Sequence, residues 1–565
     1  MSWRASWHGR CFFLAVHHSL PTALVALIPA FLIAGCVSSA RPDEVAPALA
    51  TVLSGARPAT VEPATWTDVG KFYTQRSGAP AWVNHKQPTE KATDAIKILH
   101  TATEHAFDPA AYGESELNAL YQEIQKLDRE TPDLQRRLAE FDVRLTAALL
   151  AMGRDVALGR TSPKLINAKW NSRRAVPDFA ATLNGALDGD LDSWMEKVRP
   201  QHPEYVALQK ALADVRGQQV KGGWPQVKAS SLKPGDSNTA VIALRQRLAA
   251  SGHLEGDAAT STSPVVDNEV VEAVKSFQEL HAVKATGIVD APTLAAMNVP
   301  IEKRLRQIEI NLERWRWMPD DFGAHHFMVN VPYFHLLARQ DNKTVMDIRV
   351  VVGKVGNETP LFSDEMESVV FSPYWNIPDS IAQNETAPAM ARDPAYLAKQ
   401  NIEILRTSGG RSETISASDV NWDDPSELRG LAFRQRPGAR NALGNVKFLF
   451  PNEHNVYLHD TPADALFGRP TRAFSHGCMR VEEPEKLAEY VLKGYPEWTP
   501  ERMQAAMHSG VEKHVKLKEK IPVHVVYFTA WVDEKGGLHF QPDVYGYDGK
   551  QAAGQSLSPG VSRTN

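Results

Sequence analysis

Cysteine is scarce in this chain, with three in 565 residues. Cys11 and Cys36 fall in the first apolar stretch, which leaves Cys478 without a partner for an internal disulfide framework or a zinc ribbon. Charge of one sign is also lacking. A formal net charge of −5 is small for this length and gives no case for a nucleic-acid-binding surface. Beyond the N-terminus no apolar run is long enough to span a bilayer. There is no H-E-x-x-H motif, and Ser230-Ser231-Leu232-Lys233 matches S-x-x-K only in a linker with no K-T-G partner. His454, His459, His476 and Cys478 lack the compact ligand pairs of zinc motifs, so neither metal nor cofactor is expected. What remains is ordinary globular composition, 43% hydrophobic and 23% charged, over a length that suits about two to four domains.

The N-terminus reads as an export signal. Arg4 and Arg10 precede an apolar run from Cys11 to Ala34, which ends in Leu32-Ile33-Ala34-Gly35-Cys36. A basic region, an apolar core and small residues at a cleavage site are the parts of a leader peptide. Small residues directly before cysteine resemble a bacterial lipobox, which implies acylation of Cys36 as the mature N-terminus. A plain secretory signal or an uncleaved anchor is the alternative. Residues 1–36 are therefore read as leader, and the Ala/Pro/Ser-rich residues 37–63 as a tether.

Residues 64–220 read as helical. Leu134, Leu138, Phe141, Leu145, Leu149, Met152 and Val156, three and four apart, form one buried stripe. Gly222-Gly223-Trp224-Pro225 marks a linker to a compact unit at 226–300. Its stripes are Val241, Leu244, Leu248 and Val270, Val274, Phe277, and Asp290 stands as N-cap before a first-turn proline. From about residue 325 the period falls to two, as in Met346, Ile348, Val350 and Val352, and a mostly-β region is expected over 325–530. Within it, 381–440 lapses into helical and loop sequence, an insertion of a size that is usually functional, often a lid. A hairpin turning at Asp533–Gly537, then a tail, occupies 531–565.

The chemistry gathers around Cys478. Asn455-Val456-Tyr457-Leu458-His459-Asp460 reads as a strand end, with Val456 and Leu458 sent to the core and Tyr457 beside His459 on the other face. Fifteen residues later Ser475-His476-Gly477-Cys478 brings a thiol back toward that imidazole. A thiol of pKa ~8.5 is little ionised at neutral pH, so a neighbouring base is what makes it a nucleophile. Gly477 lets backbone pass close to a ligand, and the Gly477 and Cys478 amides are candidates for an oxyanion site. His476 stands either as an acting group or as a structural donor. Arg480 falls on the Cys478 side of a continuing strand, where it could hold a carboxylate.

His459, fifteen residues, then Ser-His-Gly-Cys resembles the signature of the L,D-transpeptidase catalytic domain. The flanks Phe371–Pro378, Ala442–Phe448 and Tyr457–Pro462 strengthen the likeness. Val274–Gln278, Gly287–Asp290 and Thr293-Leu294 resemble the three-helix peptidoglycan-binding domain, with Leu244, Gln278 and Leu294 at its most regular positions. The domain order is similar to the large Gram-negative murein branch. Arg480 stands where many members have asparagine and this branch commonly has arginine; Ser372 replaces a frequent asparagine. The resemblance implies an α+β multidomain protein with a helical scaffold, a peptidoglycan-binding domain and a mostly-β catalytic domain carrying a helical/loop capping insertion.

It further implies Cys478 as nucleophile and His459 as base. Tyr457, Gly477 and the Cys478 amide would form the oxyanion environment, with Ser475, His476 and Arg480 in support. Cys478 would attack the amide between diaminopimelate and the terminal D-alanine of a tetrapeptide stem. A second stem's amine would then take the acyl group and give a 3–3 cross-link. Peptidoglycan stems as donor and acceptor, and cell-wall synthesis enzymes, are the expected partners. The periplasm, with a lipid anchor at the outer membrane, is the expected place. An L,D-carboxypeptidase or a hydrolase releasing wall proteins would use the same cysteine, and a non-enzymatic wall anchor would use none.

Overall fold

The computed structural model describes residues 44–128, 133–168, 170, 174–408, 411–422, 424–428 and 430–556. The leader, Cys36 and the first residues of the expected tether, 37–43, lie outside them. The N-terminal region is helical and is organised on the long helix Leu134–Leu158. Its stripe is buried, with Leu138, Phe141, Leu145, Leu149, Met152 and Val156 inaccessible to solvent. On the same helix Asp142 is fully buried. It accepts hydrogen bonds from the Trp82 amide (2.7 Å), the Ala81 amide (3.0 Å) and the Tyr73 hydroxyl (2.6 Å). The tether reading of 37–63 needs correction. Ala46–Ser54 is a helix, and Val45 and Leu49 are buried in the scaffold core, because Val45, Leu49 and Val52 make a short stripe hidden among alanines and prolines.

The second unit packs the helices Ala240–Ala250, Asn268–Leu280 and Ala291–Met297 around Val241, Leu244, Leu248, Val270, Val274 and Phe277. Gln278 is fully buried and explains its regularity. Its side chain donates to the Ile288 carbonyl (2.8 Å) and Thr293 Oγ1 (2.9 Å) and accepts from the amides of Thr286 and Gly287. Asp290 caps the last helix by accepting from the Thr293 amide.

Helix Ile301–Trp315 joins the units. Glu313 accepts from the Thr161 amide of the scaffold at 2.7 Å and pairs with Arg316, while Trp315 stacks on Phe528 of the catalytic region at 4.5 Å. This tryptophan–arginine cluster is a seam between units.

Among the described residues, nine strands form the catalytic sheet: β1 (His325–Asn330), β2 (His335–Gln340), β3 (Lys343–Gly353), β4 (Phe362–Phe371), β9 (Val446–Leu449), β10 (Leu458–His459), β11 (Ala473–Ser475), β12 (Met479–Val481) and β13 (Lys513–Val526). Their order is β11-β3-β12-β10-β9-β4-β13-β1-β2, and a further β2–β3 pairing closes the sheet on itself. Phe327, Val329, Ile348, Val350, Val369, Phe448, Leu458, Met479 and Val523 fill the core.

The insertion is not merely helix and loop. Its strands β6 (Ile402–Ser408), β7 (Arg411–Ile415) and β8 (Leu431–Gln435) join β5 (Trp375–Ile377), just ahead of it, in a four-stranded sheet of order β5-β8-β6-β7. Its own core includes Ile377, Met390, Ile404 and Phe433. Strands of only three to seven residues, one of them with a single apolar residue in five, leave little periodicity to read. The tail is likewise more than a tail. After the hairpin β14 (Ala530–Val532) and β15 (Leu538–Phe540), helix Tyr547–Ser556 docks on Ile301–Trp315. Fully buried Gln551 accepts from Arg314 Nε, and Asp548 pairs with Arg314 at 2.8 Å. This helix is anchored by polar contacts, so hydropathy does not announce it.

Candidate active site

The parallel ladder between β10 and β12 sets the site. Leu458 pairs with Met479 and His459 with Arg480, and the Met479 amide donates to the Tyr457 carbonyl at 3.1 Å. Paired residues of a ladder share a face, and successive residues alternate. Leu458 and Met479 are both fully buried in the core. Tyr457, His459, Cys478 and Arg480 therefore share the opposite face. The Tyr457 and His459 rings lie edge to face, 5.7 Å between centroids.

His459 is held from behind. Its Nδ1 meets the backbone carbonyl of Asp460, which only accepts, so Nδ1 carries the proton and Nε2 keeps its lone pair. The Asp460 carboxylate is fixed in turn by the amides of Asn445 (2.7 Å) and Thr461 (2.6 Å). A Cβ at Gly444, whose φ is +60°, would lie 2.2 Å from that carboxylate, which accounts for the glycine in the Ala442–Phe448 flank. Burial, then the Arg480 charge, pushes the His459 imidazole down to about 3, against the pull of the Asp460 carbonyl. Burial pushes the Cys478 thiol up to about 11, opposed by hydrogen bonding from Tyr457 and by Arg480. Burial and the facing cysteine raise the Tyr457 phenol well above its ordinary range. Thiol and imidazole are thus both neutral at rest near pH 7.

The turn before the cysteine is clamped by Ser475. Its hydroxyl donates to the Cys478 carbonyl at 2.6 Å and accepts from the Gly477 amide at 3.1 Å. That bond removes the Gly477 N–H from the expected oxyanion pair, since a donor already used within the turn is not free to meet a substrate. Gly477 still matters as backbone, because its φ of +117° suits glycine alone. His476 points to the insertion, with Nε2 2.7 Å from Glu385 Oε1. Arg480 Nε is buried and unpaired among the described residues, beside both Cys478 and His459. Sequence reasoning missed Glu385, Thr359, which donates to the Gly477 carbonyl at 2.8 Å, and Tyr545 behind it. None of the three belongs to a recurrent spacing. Ser372, at a φ of +44°, donates to the carbonyls of Ala506 and Met507, and its amide donates to the carbonyl of Asn445, so it braces backbone.

A cysteine and a buried histidine on one face of a closed β domain make a candidate nucleophile and base, and comparison with known proteins shows which domain families the chain matches. Residues 324–498 match the L,D-transpeptidase catalytic domain of the YkuD family. Residues 237–297 match a family described as "Putative peptidoglycan binding domain", and residues 67–212 a scaffold domain. The chain carries an L,D-transpeptidase catalytic domain behind scaffold and peptidoglycan-binding domains. A curated relative from Haemophilus influenzae, named "Putative L,D-transpeptidase", is 32% identical over 290 residues, 51% of this chain and 57% of the relative. The chain thus spans little more than half the length of that relative. Solved L,D-transpeptidases from Stackebrandtia nassauensis and Xylanimonas cellulosilytica are 12% and 13% identical, with TM-scores of 0.21 and 0.17. They cover 54% and 53% of this chain and 96% and 98% of their own. Scores that low carry no argument about this chain.

Proposed function

We propose that the chain forms 3–3 cross-links in peptidoglycan through a thioester at Cys478, exported by its leader and held at the outer membrane by a lipid on Cys36. Cys478 Sγ attacks the carbonyl carbon of the diaminopimelate–D-alanine amide while its proton passes to His459 Nε2. The oxyanion that forms is met by the Cys478 amide and the Tyr457 phenol. Collapse breaks the C–N bond, and the His459 proton leaves with the D-alanine amine. The side-chain amine of a second stem then attacks the thioester, gives its proton to His459, and the thiol is restored.

The observation that carries this reading is the shared face of Tyr457, His459, Cys478 and Arg480, with His459 Nε2 left as an acceptor. Because both groups are neutral at rest, proton transfer accompanies attack. Arg480, beside both, suits the carboxylate of the departing D-alanine or of diaminopimelate.

Purified protein incubated with disaccharide tetrapeptide and followed by mass spectrometry tests the proposal. A cross-linked dimer lacking one D-alanine is expected. Disaccharide tripeptide alone would make the chain a carboxypeptidase, and unchanged substrate would leave a wall anchor. Full activity in the Cys478→Ala variant would refute the mechanism.

A further inference from the structure

The strand β3 ends at Gly353, and a tight turn returns to Thr359. A Cβ at Gly353 would lie 2.1 Å from the Asn357 carbonyl oxygen, so only glycine fits. The fully buried Thr359 hydroxyl accepts from the Gly353 amide at 2.9 Å and donates to the Gly477 carbonyl at 2.8 Å. Tyr545 closes the turn from outside: its hydroxyl donates to the Gly353 carbonyl at 2.7 Å and accepts from the Thr359 amide at 3.3 Å. Tyr545 is itself fixed, because its amide donates to the Tyr527 hydroxyl at 2.7 Å, which donates to Asp543 at 2.8 Å. Tyr527 and Tyr545 lie beyond the matched span of 324–498.

The Gly477 carbonyl and the Cys478 amide belong to one planar trans peptide, so they point in opposite directions. Holding the carbonyl therefore aims the N–H. The Gly477 amide is spent on Ser475, whereas the Cys478 amide has no acceptor among the described residues. We infer that Thr359, held by Tyr545, is a positioning residue that sets the plane of the 477–478 peptide and aims the Cys478 N–H at the developing oxyanion. The inference rests on Cys478 being the nucleophile. It makes the C-terminal segment part of the machinery of acylation without its touching substrate.

The test is single-turnover release of D-alanine from disaccharide tetrapeptide, measured beside iodoacetamide alkylation of Cys478. Alkylation needs the thiol but no oxyanion donor. Thr359→Val should slow release at least about tenfold, since losing an oxyanion donor altogether costs roughly 100- to 1,000-fold. Thr359→Ser should stay within about twofold, and alkylation should be unchanged in both. Tyr545→Phe keeps the ring and should slow release several-fold; it carries the test if a melting curve shows Thr359→Val unfolded. Wild-type release in both Thr359→Val and Tyr545→Phe would overturn the inference. So would equal loss in the serine and valine variants, or alkylation falling in step with release. Cys478→Ala run alongside separates the premises: activity there sinks the nucleophile itself, whereas an inert Cys478→Ala beside a wild-type-like Thr359→Val sinks only the aiming role.

Discussion

Alkylation of Cys478 as a function of pH reads the charge state of the resting site. Burial takes the thiol from an ordinary value of 9.0 to about 11, and His459 sits near 3. At pH 7 about one cysteine in ten thousand is then thiolate, roughly a hundredfold less than for an unperturbed thiol. A more basic thiolate is also the better nucleophile; with a Brønsted slope of ~0.45 this returns about eightfold, leaving a rate about tenfold below a free thiol. Iodoacetamide labelling is quantified on the tryptic peptide 473–480 with a small thiol in the same tube. The rate should rise about tenfold per pH unit from pH 6 to pH 10, without a plateau. Restricted access changes the height of that line but not its slope. A plateau between pH 5 and 8 would mean a resting thiolate–imidazolium pair and would refute the neutral site.

Two further outcomes follow from burial elsewhere. Asp142→Ala leaves the Trp82 amide and Tyr73 hydroxyl without their buried acceptor, at a cost of about 2–4 kcal/mol. A lower-melting scaffold with Cys478 alkylation unchanged is expected by calorimetry, and an unshifted melt would contradict it. His105, His459 and His524 are buried and neutral, with values of about 3, 3 and 4. The unfolded chain takes up protons on them below about pH 6.5 and the folded chain does not, so stability present above that pH is lost as pH falls toward 4. By pH 5 each removes about 2 kcal/mol, and melting at pH 5 should come well below that at pH 7.5; equal melting would refute it.

The parts of the site legible in sequence are those carried by period and spacing. Alternation across Val456–His459 put the right pair inward, and the distance from His459 to Cys478 matched a returning strand. What escaped is hydrogen bonding between segments far apart in the chain. Ser475 takes the Gly477 amide, Thr359 takes its carbonyl, and Tyr545 reaches back 192 residues to Gly353. Such contacts leave no periodic trace, and a serine, threonine or tyrosine has many ordinary uses. The same reason hid the helix Tyr547–Ser556, docked through Asp548 and Gln551, and the short strands of the insertion. At Ala46–Ser54 the failure was different: three apolar residues at helical spacing were outweighed by an alanine- and proline-rich composition.

The proposed reaction passes through a covalent acyl intermediate on one sulfur. Acid quenching the protein within its first turnover on disaccharide tetrapeptide, followed by peptide mapping, measures it directly. The disaccharide-tripeptide acyl group is expected on peptide 473–480, attached at Cys478 and lost with hydroxylamine as a thioester is. Cross-linked product forming while that peptide stays unmodified, or an adduct on any other residue, would contradict it.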